Sequence, residues 1–256
     1  MRVAVAGGTG LAGRHVAAAL RDLGHDPVVL ARSAGVDLLT GAGLDAALES
    51  VAAVVDVSNT TAVTRRAAVG FFDTAGRMLL DAERRAGVAH HVVLSIVGVD
   101  RVGLGYYRGK LRQERLAAAG PVPCTVLRAT QFHEFPRQLL DRTPGPVAAV
   151  PKARVQPVAV REVGAALAEL AVGPPLGVAP ELAGPREEYL PDMVRGVARA
   201  RGERRLVLPV PLPGAAGRAV AEGALLPSGR AARARQAFDE WLAEEAGRAA
   251  LKRWTT

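Results

Sequence analysis

The segment Ala6-Gly7-Gly8-Thr9-Gly10-Leu11-Ala12-Gly13-Arg14 narrows the possible folds of this chain more than any other. It follows the apolar run Val3-Ala4-Val5-Ala6 and precedes an Ala/Leu-periodic stretch, Arg14 to Leu23, that reads as a helix with Val16, Leu20 and Leu23 turned inward. A glycine-rich turn between a strand and a helix gathers free N–H groups and the positive end of a helix dipole at one point, which suits a phosphate. Gly7 permits the tight turn, Gly10 lets the backbone approach a pyrophosphate, and Gly13 lets the helix lie close to the strand. Thr9 and Leu11 complete the cofactor contacts expected of the loop. The spacing is G-x-x-G-x-x-G rather than the commoner G-x-G-x-x-G.

The pattern that follows alternates short β-branched runs with helical periodicity, which predicts a Rossmann-type, doubly wound parallel sheet in an α/β fold. Strands are expected at 27–31, 36–38, 53–57, 92–96 and 125–127, with helices at 44–50, 64–86 and 107–119, the second of these closed by Gly87. Past about residue 130, proline and glycine recur at Pro144-Gly145-Pro146, Pro174-Pro175, Pro209, Pro211 and Pro213. Two further helices stand out there, 161–171 and 231–246. The expected organisation is a dinucleotide-binding core over 1–130 and a small C-terminal substrate lobe over 131–256, with about 155–185 returning to pack on the core.

Charge and composition exclude several other classes. The formal charge of +8 raises the question of nucleic acid. The basic residues are scattered, however, and aromatic residues at 4% are too few for a stacking platform, so no nucleic-acid partner is expected. No long uncharged apolar run is present, so no membrane span is expected, and the glycines after Ala6 break any signal-peptide pattern. One cysteine, Cys124, leaves no intrachain disulfide and too few thiols for a cysteine zinc site. A cytoplasmic protein without a metal, acting on a small molecule as a monomer or homodimer, is the expectation.

In such a core the residue ending the second strand selects the cofactor: an acid bonds the adenosine ribose, an arginine accepts a 2′-phosphate. Arg32, followed by Ser33, occupies that place, which favours NADP(H) over NAD(H). Asp37 is a candidate for the adenine edge, and Asn59, after the strand at 53–57, for the cofactor cleft; a plain turn is the alternative for each. His90 and His91 precede a strand and read as solvent-facing.

The chain resembles the atypical short-chain dehydrogenase/reductases, and within them the NmrA-like and isoflavone-reductase-like branch. Beside the glycine loop, the resemblance is carried by Leu94-Ser95-Ile96-Val97-Gly98-Val99-Asp100, Tyr106-Tyr107-Arg108-Gly109-Lys110, 125–132 (Thr-Val-Leu-Arg-Ala-Thr-Gln-Phe) and 156–163. It implies that Ser95, Tyr106 and Lys110 act together: Ser95 holding a carbonyl oxygen, Tyr106 protonating it, and Lys110 lowering the phenol's pKa and binding the nicotinamide ribose. The Tyr-x-x-x-Lys spacing puts both side chains on one helical face. The Ser-to-Tyr segment is shorter than the superfamily leads one to expect, and isoflavone-reductase-like members use the lysine without that tyrosine. Lys110 therefore carries more of the expectation, and Tyr107 is an alternative phenol. Gln131, Phe132 and His133 are candidate substrate contacts, with ordinary packing as the alternative.

These readings imply an NADPH-dependent reductase of a small, largely apolar carbonyl or conjugated carbonyl compound. Two alternatives stay open: a non-catalytic NADP(H)-binding redox sensor of the NmrA-like type, and an epimerase-like use of the cofactor on a sugar nucleotide.

Overall fold

Valine-rich strands buried on both faces form the centre of the fold. The computed structural model describes the backbone of residues 1–62, 64–229 and 231–254. The chain runs β1 (Arg2–Ala6), α1 (Leu11–Asp22), β2 (Asp26–Leu30), α2 (Leu44–Ala47), β3 (Val51–Asp56), α3 (Arg65–Ala86), β4 (His90–Ile96), α4 (Gly105–Ala119) and β5 (Cys124–Ala129). It continues through α5 (Phe135–Arg142), β6 (Val147–Pro151), β7 (Arg154–Val155), α6 (Val160–Val172), β8 (Gly177–Val178), β9 (Leu182–Ala183) and β10 (Glu188–Tyr189). The last elements are α7 (Leu190–Ala200), β11 (Leu206–Val210), α8 (Gly214–Ala221), β12 (Ala232–Arg233) and α9 (Phe238–Trp254). Contacts divide these into two units, Met1–Ala129 with Val160–Pro180, and Thr130–Ala159 with Glu181–Thr256.

In the first unit the strands pair in parallel in the order β8-β5-β4-β3-β1-β2. The uninterrupted apolar runs of β1 and β3 suit strands covered on both sides. Because the chain leaves β1 in one direction and β3 in the other, right-handed crossovers put α1 and α3 on opposite faces. Helix α3 buries Phe72, Ala75, Leu79 and Ala82, a helical stripe, and Gly87 closes it at φ 71. The helices pair closely through glycine. A Cβ on Gly109 of α4 would lie 2.7 Å from Phe72 Cδ2 of α3, and one on Gly164 of α6 would lie 2.7 Å from His15 Cβ of α1.

Within the second unit β6 pairs with β11 and β9 with β12 in parallel, β7 pairs with β10 antiparallel, and a bridge joins Phe132 and Val158. Helix α7 packs on α5 and α9.

Several expectations are corrected. Residues 36–38 are a loop, not a strand: Gly35, Gly41 and Gly43 all take positive φ, and the Asp37 carboxylate accepts the Leu39 N–H at 2.7 Å, closing a turn. Leu23 is the C-cap of α1 and is exposed rather than inward. His90 and His91 lie inside β4 and are buried. The helix expected at 231–246 begins only at Phe238, since 232–233 is strand β12. Helices α5, α7 and α8 occupy a region that reads as loop-rich because proline starts helices as well as ending them: Pro136 and Pro191 sit in the first turns of α5 and α7, and Pro213 precedes α8.

Candidate functional site

The sheet reverses its winding between β1 and β3, and in open α/β sheets ligands bind at the carboxyl ends of the strands flanking such a point. The glycine loop lies there. Gly7, at φ 77, donates its N–H to the Leu30 carbonyl at 3.1 Å, and Gly10 donates to Gly7 O at 2.9 Å. A Cβ on Gly7 would come within 3.0 Å of Val57 O and Ser58 Cα, so the loop touches the segment leaving β3. A Cβ on Gly13 would sit 2.3 Å from Gly7 O and 2.5 Å from Gly8 Cα, so only glycine fits that helix turn against the loop. Among the described residues no backbone carbonyl accepts from the N–H groups of Leu11, Ala12 or Gly13, and the first turn of α1 holds no acid. Free donors and an uncompensated dipole end suit an anion. Thr9 and Gly10 are exposed above them, and Arg14 reaches back to the Thr9 carbonyl at 3.1 Å, adding a cation beside the loop.

Arg32 and Ser33 open a single 3-10 turn, Arg32–Ala34, two residues past the strand end that Gly7 touches, and both are exposed. Asp37 spends one carboxylate oxygen on its own turn, as given above. Asn59 leaves β3 next to the glycine loop; its Oδ1 accepts the Tyr106 hydroxyl at 2.8 Å and the Thr60 N–H at 2.8 Å.

Tyr106 and Lys110 lie one turn apart on α4, yet their polar ends have different partners. Burial pushes the Tyr106 phenol up to about 12, Tyr107 adds to the rise, and the bond to Asn59 only partly offsets it. The expected lowering of this phenol by Lys110 is therefore reversed in the protein by itself. Lys110 is 4% exposed, donates to Gln113 Oε1, and sits 5.0 Å over the ring of Phe72. Burial brings its ammonium down to about 8, against the pull of Asp56 and Glu114. Tyr107 packs edge-on against Tyr106 with ring centroids 6.4 Å apart. In-register pairing of Asp56 with Val93 places Asp56 and Ser95 on one face of the sheet, since side chains two apart on a strand share a face. The Ser95 hydroxyl is buried and finds no hydrogen-bond partner in the protein.

In the second unit, both polar atoms of the Gln131 side chain are likewise buried without a partner, and Phe132 is half-buried. His133 is corrected from substrate contact to core residue. It is fully buried, its Nε2 lies 3.2 Å from the Gln236 carbonyl, and its ring packs on Phe238 and Trp241 at 5.7 and 5.8 Å.

Asp56, Gln113 and Arg14 carry site geometry that the sequence reading missed. A signal for Gln113 existed, since it follows Lys110 by three residues and shares its helical face. Asp56 is the one acid in the apolar run of β3. Among the described residues no cluster of three or more His, Cys, Asp or Glu could hold a metal, and no helix is long and apolar enough to cross a membrane.

No protein-family model and no curated protein matches the chain by sequence. Solved structures do match. MoeE5 in complex with UDP-glucose and NAD superposes with a TM-score of 0.73 at 20% identity, covering 98% of this chain and 100% of that one. An Agrobacterium tumefaciens short-chain dehydrogenase/reductase superfamily protein with bound NAD gives 0.69 at 18%, over 100% and 99%. The NADPH-dependent quinone oxidoreductase of Escherichia coli, complexed with NADPH, gives 0.67 at 18%, over 96% and 94%. The chain thus shares the Rossmann-type α/β fold of these structures. The glycine cradle that a Cβ would fill fits the phosphates of a nicotinamide dinucleotide.

Proposed function

We propose that the chain is an NADPH-dependent oxidoreductase that reduces a small, largely apolar carbonyl or conjugated carbonyl compound, quinones included. The observation that carries this is Lys110: a buried amine with its pKa brought down to about 8, on the helix whose Tyr106 bonds Asn59 beside the glycine loop.

Leu11, Ala12 and Gly13 give N–H groups to the cofactor pyrophosphate, with Gly7, Thr9 and Gly10 shaping the approach, and Arg32, Ser33 and Arg14 meet the 2′-phosphate. Asn59 lines the cleft and holds Tyr106. Bound there, the reduced nicotinamide would supply a hydride, one proton with two electrons, to the carbonyl carbon. Ser95 donates its hydroxyl to the carbonyl oxygen, and Lys110 gives that oxygen a proton and recovers one from solvent. A general acid works best when its pKa is near the working pH. Lys110 meets that condition, whereas a phenol near 12 does not, so Tyr106 serves to order Asn59 and the cleft wall.

The test is turnover of NADPH with a panel of quinones, simple enones and apolar aldehydes and ketones, using the wild type and Lys110→Met. General acid catalysis is worth about 10²–10⁴-fold, and a loss of that size is expected in the variant, together with a wild-type rate that falls as pH rises through about 8. Full turnover by Lys110→Met would sink the assignment. Tight NADPH binding with no turnover on the panel would favour the redox-sensor alternative, and turnover of a UDP-sugar with bound cofactor the epimerase-like one.

A further inference from the structure

Lysine is scarce in this chain. The sequence holds 30 arginines and three lysines, Lys110, Lys152 and Lys252. Arginine keeps its proton at any pH a protein meets, whereas a buried lysine can give one up. Lys110, buried, is placed where that difference matters, and its immediate partner is an amide rather than a carboxylate.

The partner's orientation is determined by what lies behind it. Gln113, 2% exposed, donates through Nε2 to Asp56 Oδ2 at 2.6 Å and more weakly to Ser58 Oγ at 3.4 Å. Asp56 accepts only, so the amide nitrogen must face it and the amide oxygen is left for the Lys110 ammonium. Asp56 is itself held by the Ser58 N–H at 2.9 Å on Oδ1. The order from sheet to helix is carboxylate, amide, ammonium. Other charged groups near Lys110 are already occupied: Glu114, the next residue on α4, is paired with Arg128 of β5 at 2.8 Å. From α3 the ammonium meets the Phe72 ring, and Tyr106 on its own helix turns to Asn59.

We propose that Gln113 and Asp56 are positioning residues for Lys110: Asp56 aims the Gln113 amide, and the amide fixes the amine while keeping a full negative charge away from it. A glutamate in place of Gln113 would form a direct buried ion pair and hold the proton on the lysine. The interposed amide gives the same geometry without that lock. The inference rests on the catalytic reading of Lys110 above, and it can be tested without any substrate.

Lysine-selective ¹³C labelling of the full chain yields three side-chain signals, and Lys110→Met identifies one by its loss. Titrated by NMR, Lys110 is expected to have a midpoint well below that of an exposed lysine. Gln113→Glu, nearly the same size, should raise it by more than one pH unit and move the pH profile of carbonyl reduction upward with it. Asp56→Asn, which removes the carboxylate that most raises it, should lower it, and gives a second reading if Gln113→Glu does not fold. An unchanged Lys110 midpoint in a Gln113→Glu protein that melts at the wild-type temperature and binds NADPH normally would overturn the proposal. If the Lys110 midpoint moves as expected in both variants and no carbonyl is turned over, the catalytic reading fails and the positioning stands.

Discussion

Two buried polar systems lie on the same face of the first unit's sheet and are built on opposite principles. At the amino end of β4, His91 Nδ1 meets both Glu83 carboxylate oxygens at 2.9 and 3.0 Å, with exposures of 2% and 0%. Past the carboxyl end, Lys110 and Asp56 are separated by the Gln113 amide. In the first pair imidazole and carboxyl touch: burial works against a charged imidazole, but the charge and hydrogen bond of Glu83, with Asp56 adding, outweigh it and raise His91, while burial raises Glu83 as well. In the second, burial wins and Lys110 is lowered. Burial alone therefore does not decide whether a group can exchange its proton near neutrality; the atom that touches it does. The closed pair holds α3 to the sheet. The open one is left able to react.

The largest expected effect comes from breaking the closed pair. His91→Leu leaves the Glu83 carboxylate buried without its partner, and losing one member of a buried pair costs about 3–5 kcal/mol. Urea denaturation should show a loss of that order, and Glu83→Leu combined with His91→Leu should recover most of it, because a well-packed apolar pair replaces the ions at little net cost. NADPH affinity of the folded variants should change less than about twofold, a factor worth under half a kcal/mol. If the double variant is as unstable as the single one, the pair is not the closed system described.

A smaller effect of opposite pH sign is expected at Lys110. Its folded pKa, about 8, lies below its unfolded value of 10.5, so its burial destabilises the fold fully below about 8, and the penalty is relieved as pH rises toward 10.5. Compared with Lys110→Met, the wild type should gain up to about 3 kcal/mol over that window, from 1.36 kcal/mol per pKa unit. His91 behaves the other way: its raised pKa contributes stability below its unfolded value of 6.5 that is lost as pH rises through the folded one. Denaturation of both variants across pH 6 to 10 should separate the two slopes, and parallel slopes would remove the distinction between open and closed systems.

The same contrast explains what could be read in the sequence. The glycine loop was legible because its residues act locally: turn, close approach and helix start are all written in one short stretch. The strands were legible where both faces are buried and the run is apolar. His90 and His91 were misread because polar residues inside β4 are satisfied by partners far along the chain, Thr125 and Glu83, which no local pattern displays. The Lys110–Gln113 spacing was visible, but its meaning depends on Asp56, 57 residues before Gln113. Helices α5 and α7 were missed for a different reason, since proline marks a helix start and a helix end alike.

The smallest expected effect belongs to a cation that neither system contains. Arg32 is exposed, and in solvent its attraction for a phosphate is screened. Its removal should then act only through the 2′-phosphate contact. Arg32→Ala is expected to weaken NADPH binding about tenfold, or 1.4 kcal/mol, and to leave NADH binding and the unfolding free energy unchanged. Nicotinamide fluorescence titrations with both cofactors measure this directly. An equal loss for NADPH and NADH would mean that Arg32 shapes the loop rather than selecting the cofactor. No loss for either would pass the phosphate contact to Arg14, the cation already hydrogen-bonded to the Thr9 carbonyl.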